Sequence, residues 1–167
     1  MKAVLPSRFS PSDTAPAGPA ALTCRPVRDA GELATHHLIR RAVFVDEQGL
    51  FTGDDRDAHD EAPDTLHVIG QVDGAAAGTV RLYPLDRAGL LWKGDRLAVL
   101  PRQRRSGIGG PLVRLAVALA EARGGEAMVA TVQAVNTGFF LELGWSCDGQ
   151  VVDHLGVPHQ PMSISLR

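Results

Sequence analysis

The clearest periodicity in the chain has a two-residue repeat. Leu66, Val68, Gly70 and Val72 alternate with Thr65, His67, Ile69 and Gln71, and Asp73-Gly74 follows as a two-residue hairpin turn. Further strands are predicted over 78–83 and 90–100 with a turn at 84–89, so this region reads as an antiparallel meander. Ahead of it, a strand near 21–27 leads to Asp29, an N-cap with Glu32 at capping-box spacing. The helix that follows sets Ala34, Leu38, Ala42 and Val45 on one face, with Ile39 beside them, and stops at Gly49. Beyond the meander a helix is predicted over 112–123, with Pro111 in its first turn and Gly124-Gly125 at its end. Leu112, Leu115, Val117 and Leu119 give it an apolar surface. A strand over 128–133 comes next, then a short helix capped by Asn136 or Thr137 and stopped by Gly144. Closing strands are predicted near 146–152 and 159–166. The order is β-α-(β-β-β)-α-β-α-β-β, an α+β domain over 21–167 without internal repeats. Residues 1–20, with Pro6, Pro11, Pro16 and Pro19, read as a flexible, extended arm.

Composition changes this picture mainly by exclusion. At 167 residues and 44% hydrophobic, the chain suits one ordinary domain. A formal charge of -2 and 5% aromatics argue against a nucleic-acid partner. Cys24 and Cys147 form no CxxC pair and read as reduced thiols. Pro6 breaks the N-terminus before any secretory core, and no apolar run approaches the roughly 18 residues of a membrane span. A cytoplasmic protein with no membrane partner is expected. The acidic stretch 51–64 lacks the glycine and glutamate of a calcium loop, since Asp60 and Leu66 stand there counting from Asp55. It reads as a solvated loop, or as a lure for a cationic amine. No metal site is expected.

The candidate chemistry lies after the predicted third strand of the meander. Arg104-Arg105-Ser106-Gly107-Ile108-Gly109 is a basic, glycine-rich turn between a strand and a helix. Backbone N–H groups and the positive helix end converge there, which suits a pyrophosphate. A nucleoside-triphosphate P-loop would need Gly-Lys-Ser/Thr, and this chain has Gly109-Gly110-Pro111. A dinucleotide fingerprint would need a further glycine where Leu112 stands.

Arg104, Gly107 and Gly109 fit Arg/Gln-x-x-Gly-x-Gly/Ala. Asn136-Thr137-Gly138-Phe139-Phe140-Leu141-Glu142-Leu143-Gly144-Trp145 is similar to an Asn…Phe-Tyr…Leu-Gly-Phe segment. With both motifs in this element order, residues 22–166 resemble the GNAT superfamily of acyl-CoA N-acyltransferases. Residues 43–49 also resemble the branch near the autoinducer synthases, and a subgroup of bacterial acetyltransferases linked to nitrogen starvation. The resemblance implies a mixed twisted sheet of about seven strands flanked by about four helices. It implies that acetyl-CoA pairs with the backbone of Leu97, Ala98 and Val99 where two parallel strands splay. The N–H groups from Arg105 through Ser106, Gly107, Ile108 and Gly109 to Gly110 would hold its pyrophosphate, with charge from Arg104 and Arg105. Asn136 and Phe139 would touch the cofactor arm, and the Val99 N–H would face the thioester oxygen.

The implied reaction is acetyl transfer to a small-molecule amine, whose proton needs an acceptor. Asp95, on one face with Leu97 and Val99 in regular β geometry, is the first candidate, or a salt-bridge partner of an arginine. Glu47 is the second, or a surface carboxylate. Phe140 stands where many members of the resembled family carry a tyrosine acid; Tyr83, Cys147, His154 and His159 are other candidates, or coenzyme A leaves as thiolate. Alternatives are an acyltransferase for longer acyl-CoA or acyl-carrier thioesters, and a silent CoA-binding sensor. The resemblance leaves a homodimer open.

Overall fold

The computed structural model describes residues 18–167. Most of the proline-rich arm expected over 1–20 lies outside the described residues. Eight strands form one sheet: β1 (Leu22–Pro26), β2 (Leu66–Val72), β3 (Ala75–Pro84), β4 (Leu91–Val99), β5 (Ala127–Gln133), β6 (Ser146–Cys147), β7 (Val152–His154) and β8 (Val157–Ser165). They run in the order β1-β2-β3-β4-β5-β8-β6, with β7 on β8. This is the expected mixed sheet of about seven strands, with the stretch predicted over 146–152 divided between β6 and the start of β7. Among the described residues three α-helices flank it, where about four were expected: α1 (Ala30–Arg40), α2 (Gly109–Ala122) and α3 (Thr137–Glu142). Among the described residues no helix is long and apolar enough to cross a membrane.

All neighbouring strands are antiparallel except β4 and β5. That parallel pairing lasts only from Leu91↔Ala127 through Trp92↔Met128 to Lys93↔Val129. Beyond it the two strands part, and their facing backbone groups lose each other as partners.

α2 packs its Leu112, Val113, Ala116 and Ala120 onto the sheet face that carries Val80, Leu82, Trp92 and Met128. The opposite face carries Ala98, covered by Ile39, Val43 and Phe44 of the first helical segment. That segment departs from the predicted single α-helix. After α1 it continues as a π-helix over Arg41–Glu47, in which the Gln48 N–H donates to Val43 O, and Gly49 stops it at φ 61. The buried stripe is not the predicted one. His36 and Arg40 are fully buried beside Ile39, whereas Leu38 is 67% exposed. Asp29 caps α1 by accepting from the Glu32 N–H, but Glu32 reaches back to the Arg28 N–H instead of closing a capping box.

β4 departs from regular geometry as well. Arg96 has φ 52, and the β3–β4 register shifts between Thr79↔Ala98 and Arg81↔Asp95. This bulge exchanges faces. Asp95 therefore lies with Arg81, Lys93 and Ala98 on the α1 face, while Leu97 and Val99 belong to the α2 core. The expectation that Asp95 shares a face with Leu97 and Val99 is corrected by that extra residue.

Candidate functional site

The turn after β4 has the predicted form. A short 3-10 segment over Pro101–Gln103 leads into it, Gly107 takes φ 85, and α2 starts at Gly109. A side chain at that φ is strained, so glycine is the residue the turn requires. Two of the amides expected to face a ligand are used inside the turn. The Ser106 N–H donates to Gln103 O at 3.0 Å, and the Ile108 N–H to Ser106 Oγ at 3.3 Å. The N–H groups of Arg105, Gly107, Gly109 and Gly110 have no acceptor among the described residues, which leaves a basic cradle at a helix N-terminus. Phe139 lies over Gly109, where an added Cβ would meet its Cζ at 3.4 Å, so the two sequence motifs converge. Arg114, which neither motif includes, lies over Gly110 one turn into α2.

Arg104 is not free. Its Nε–H donates to Val99 O at 3.2 Å, and its two Nη groups donate to Glu47 at 2.7 Å each. That bond holds the Glu47 carboxyl below the usual carboxylate range. The sequence suggests separate roles for these two residues, and the structure joins them.

Between β4 and β5 beyond Lys93 lies a cavity of about 340 Å3. Its α2 side is apolar, with Val113, Ala116, Met128, Phe140 and Trp145. Its α1 side carries Lys93, Asp95, Arg96 and Gln48, and the β7–β8 hairpin adds His154 and His159. Asn136 also lines it, and its side chain makes no capping bond. Val99 pairs with Gly78 one step from the position where the Leu100 N–H donates to Ala77 O. By antiparallel alternation its N–H points away from β3, toward the gap. Burial pushes the Lys93 amine down, opposed by Asp95, and Lys93 Nζ donates to Thr131 Oγ1 at 3.1 Å. No motif marked Lys93; its placement follows from where the strand pairing stops. Cys147 is exposed, and Tyr83 stacks on His59 with centroids 3.9 Å apart; neither borders the cavity.

Asp95 is held by Arg81 through two bonds, Nε–H to Oδ1 at 2.8 Å and Nη2–H to Oδ2 at 2.7 Å. The salt-bridge reading of this residue is the one the geometry supports. The pair belongs to a larger cluster. Arg40 donates to Asp55 at 2.8 Å and to Asp60 at 2.6 Å, Arg81 also donates to Asp57 at 2.6 Å, and Arg96 to Asp55 at 2.9 Å. The acidic loop is therefore not simply solvated: Asp55 and Asp60 turn inward. Burial raises the Asp60 carboxyl, but bonds from Arg40 and the Asp57 N–H, with the charge of Arg81, reverse this and leave it well below the usual range.

The profile of the Acetyltransferase (GNAT) family matches residues 33–145. A protein of Bacillus subtilis (strain 168), provisionally named an acetyltransferase, is 29% identical over 133 residues, 79% of this chain and 88% of that protein. An acyl-CoA N-acyltransferase from Pseudomonas aeruginosa has the same fold at TM-score 0.72 and 24% identity, over 86% of this chain and 98% of that one. BjaI, a CoA-dependent acyl-homoserine lactone synthase, shares it at TM-score 0.68 and 17% identity, over 83% of this chain and 77% of that one.

Proposed function

The chain belongs to the GNAT acetyltransferase family, and from that premise we propose that it moves an acetyl group from acetyl-CoA to a small-molecule amine by direct attack. The observation that carries this reading is the gap between β4 and β5 lying just upstream of a turn with four unpartnered N–H groups. The pyrophosphate of the donor fits that turn, because Gly107 and Gly109 leave backbone amides open to close approach. Arg105 in the turn and Arg114 over Gly110 add positive charge. The unpaired edge of β4 then takes the pantetheine arm as a further strand would be taken, and Asn136 and Phe139 flank it. The Val99 N–H is set to hold the charge that develops on the thioester oxygen. Loss of one such donor typically raises a barrier by about 3 kcal/mol. Asp95 accepts two bonds from Arg81 and Glu47 two from Arg104, so these carboxylates serve better to position arginines than to take a proton.

A second reading, transfer of a longer acyl group, is favoured by the apolar depth of the cavity. Val113, Ala116 and Met128 line it, although each is at most 4% exposed. Calorimetry with CoA and acetyl-CoA tests the cradle, and a thiol-release screen over primary amines tests the chemistry. Saturable binding with amine-dependent thiol release is expected. Binding without release from any amine would support a silent CoA sensor, and no binding would end the assignment. Extending the donor series to butyryl- and hexanoyl-CoA separates the two acyl readings.

A further inference from the structure

We propose that His159 takes the proton of the attacking amine. This rests on the acyl-transfer reading above. Four observations carry it.

The first is register. His159 of β8 pairs directly with Gln133 of β5, and both lie on the α1 face, since Met128, Ala130 and Val132 between them alternate into the α2 core. Lys93 and Asp95 lie on the same face of β4. An amine held in the gap between β4 and β5 on the α1 side therefore has His159 on the strand just beyond β5, one strand spacing of roughly 5 Å from β5 and two or more from β4.

The second is tautomer. His159 Nδ1 lies 2.8 Å from Val157 O. A carbonyl only accepts, so Nδ1 carries a hydrogen, and in the neutral ring Nε2 keeps its lone pair. The third is placement. The residue is 6% exposed and borders the cavity, with the His154 ring edge-on at 5.1 Å. The fourth is elimination. Asp95 and Glu47 are bound by Arg81 and Arg104, and Lys93 by Thr131. The other charged or titratable groups lining the cavity are Arg96 on β4, a permanent cation, and His154 on β7, which is exposed and has no carbonyl partner among the described residues to fix its tautomer as Val157 O does for His159.

In the step, the amine nitrogen forms a bond to the thioester carbon, and the C–S bond breaks with its electron pair leaving on sulfur. The N–H proton passes to His159 Nε2, directly or through one water in the cavity, and from there to solvent or to the departing thiolate.

Two substitutions separate this role from a structural one. His159→Asn keeps a donor near Nδ1 for Val157 O and removes the base. His159→Gln places an amide near Nε2 and gives up that donor. Thiol release from acetyl-CoA, with a panel of primary amines and with water alone, should fall about 10²-fold or more in both. Acetyl-CoA affinity by calorimetry should hold. The rising limb that a general base gives the pH–rate profile should vanish in both. Activity close to wild type in His159→Asn would overturn the proposal, as would an unchanged limb. Independently, 15N spectra assigned with these variants should show the Nδ1–H tautomer and a change in the His159 resonances on adding acetyl-CoA. An Nε2–H tautomer, or unchanged resonances, also overturns it. Failure of the wild type to bind acetyl-CoA would instead remove the acyl-transfer reading, and the tautomer measurement would still judge His159.

Discussion

Two sets of arginines flank β4 and obey opposite rules. Arg104 and Arg105 sit on the glycine turn at the surface, where Arg104 is 44% exposed and tied to one carboxylate. Arg40 and Arg81 have no exposure and meet four aspartates between them. An exposed guanidinium is hydrated, weakly coupled and available to an incoming anion. A buried one is committed, because removing any partner leaves a charge without water or counter-ion. In the proposed function the first set would meet the ligand, and the second fixes the backbone of β4 beside it.

The sharpest test of that contrast is Arg81→Met beside Arg104→Met. Arg81→Met leaves Asp57, Asp60 and Asp95 without their shared partner, and should cost about 3–5 kcal/mol in chemical denaturation. Arg104→Met should change stability by no more than about 1 kcal/mol while weakening CoA binding. Equal stability losses would erase the distinction.

Acid should probe the buried set next. His36 is wholly buried, with Nε2 3.3 Å from Val80 O and its ring 5.0 Å from His67. Burial holds it down to about 3, and pushes His37 and His67 in the same direction. The folded state thus refuses protons that the unfolded chain accepts below about 6.5. The His36 contribution to stability should be complete above that value. It should be lost as pH drops from about 6.5 toward 3, with a slope of about 1.4 kcal/mol per pH unit inside that window. His36→Leu should flatten that slope in urea melts taken across the range. An unchanged slope would remove His36 from the account.

These contrasts also explain what the sequence made legible. The meander, the Asp73-Gly74 turn and the glycine turn follow local rules of alternation and positive φ, and each stands where expected. The aspartate–arginine cluster could not be read, because the partners of Arg40 lie 15 and 20 residues away and the three of Arg81 between 14 and 24. A buried face with His36 and Arg40 has no apolar signature, so the periodicity of α1 pointed to the stripe through Leu38. The bulge at Arg96 carries no glycine, so nothing flagged the face exchange that moved Asp95. In the sequence His159 stood beside Tyr83, Cys147 and His154 as a candidate acid, with nothing to set it apart. What distinguishes it is a carbonyl two residues back and a strand pairing, and both need the fold.

On the ligand side the contrast is sharpened by Gly107→Trp against Phe140→Tyr. Gly107 holds φ 85, and an added Cβ would make only an ordinary contact with Leu22 Cδ1 at 3.9 Å, so the penalty is conformational and falls on the cradle. A strain of about 1–3 kcal/mol should weaken CoA binding by about tenfold or more in calorimetry. Phe140 is packed edge-on against Trp145 at 5.5 Å, and an added hydroxyl should change the rate less. The reverse order in steady-state kinetics would contradict the placement of the donor.

The smallest effect belongs to Glu47, where the two rules meet. It is a surface carboxylate, yet it occupies the one arginine of the turn that also bonds to β4. If Arg104 belongs to the ligand-binding set, Glu47 competes with the diphosphate for it. Glu47→Gln removes that competitor's charge, so CoA affinity should rise by the worth of an exposed pair, about 0.2–1 kcal/mol or roughly 1.5- to 5-fold. The gain should shrink as salt rises, because both interactions are screened over about 10 Å at 0.1 M. A loss of affinity would mean that Glu47 aims Arg104 rather than withholding it. Arg104 would then behave like the buried arginines after all, useful because it is held.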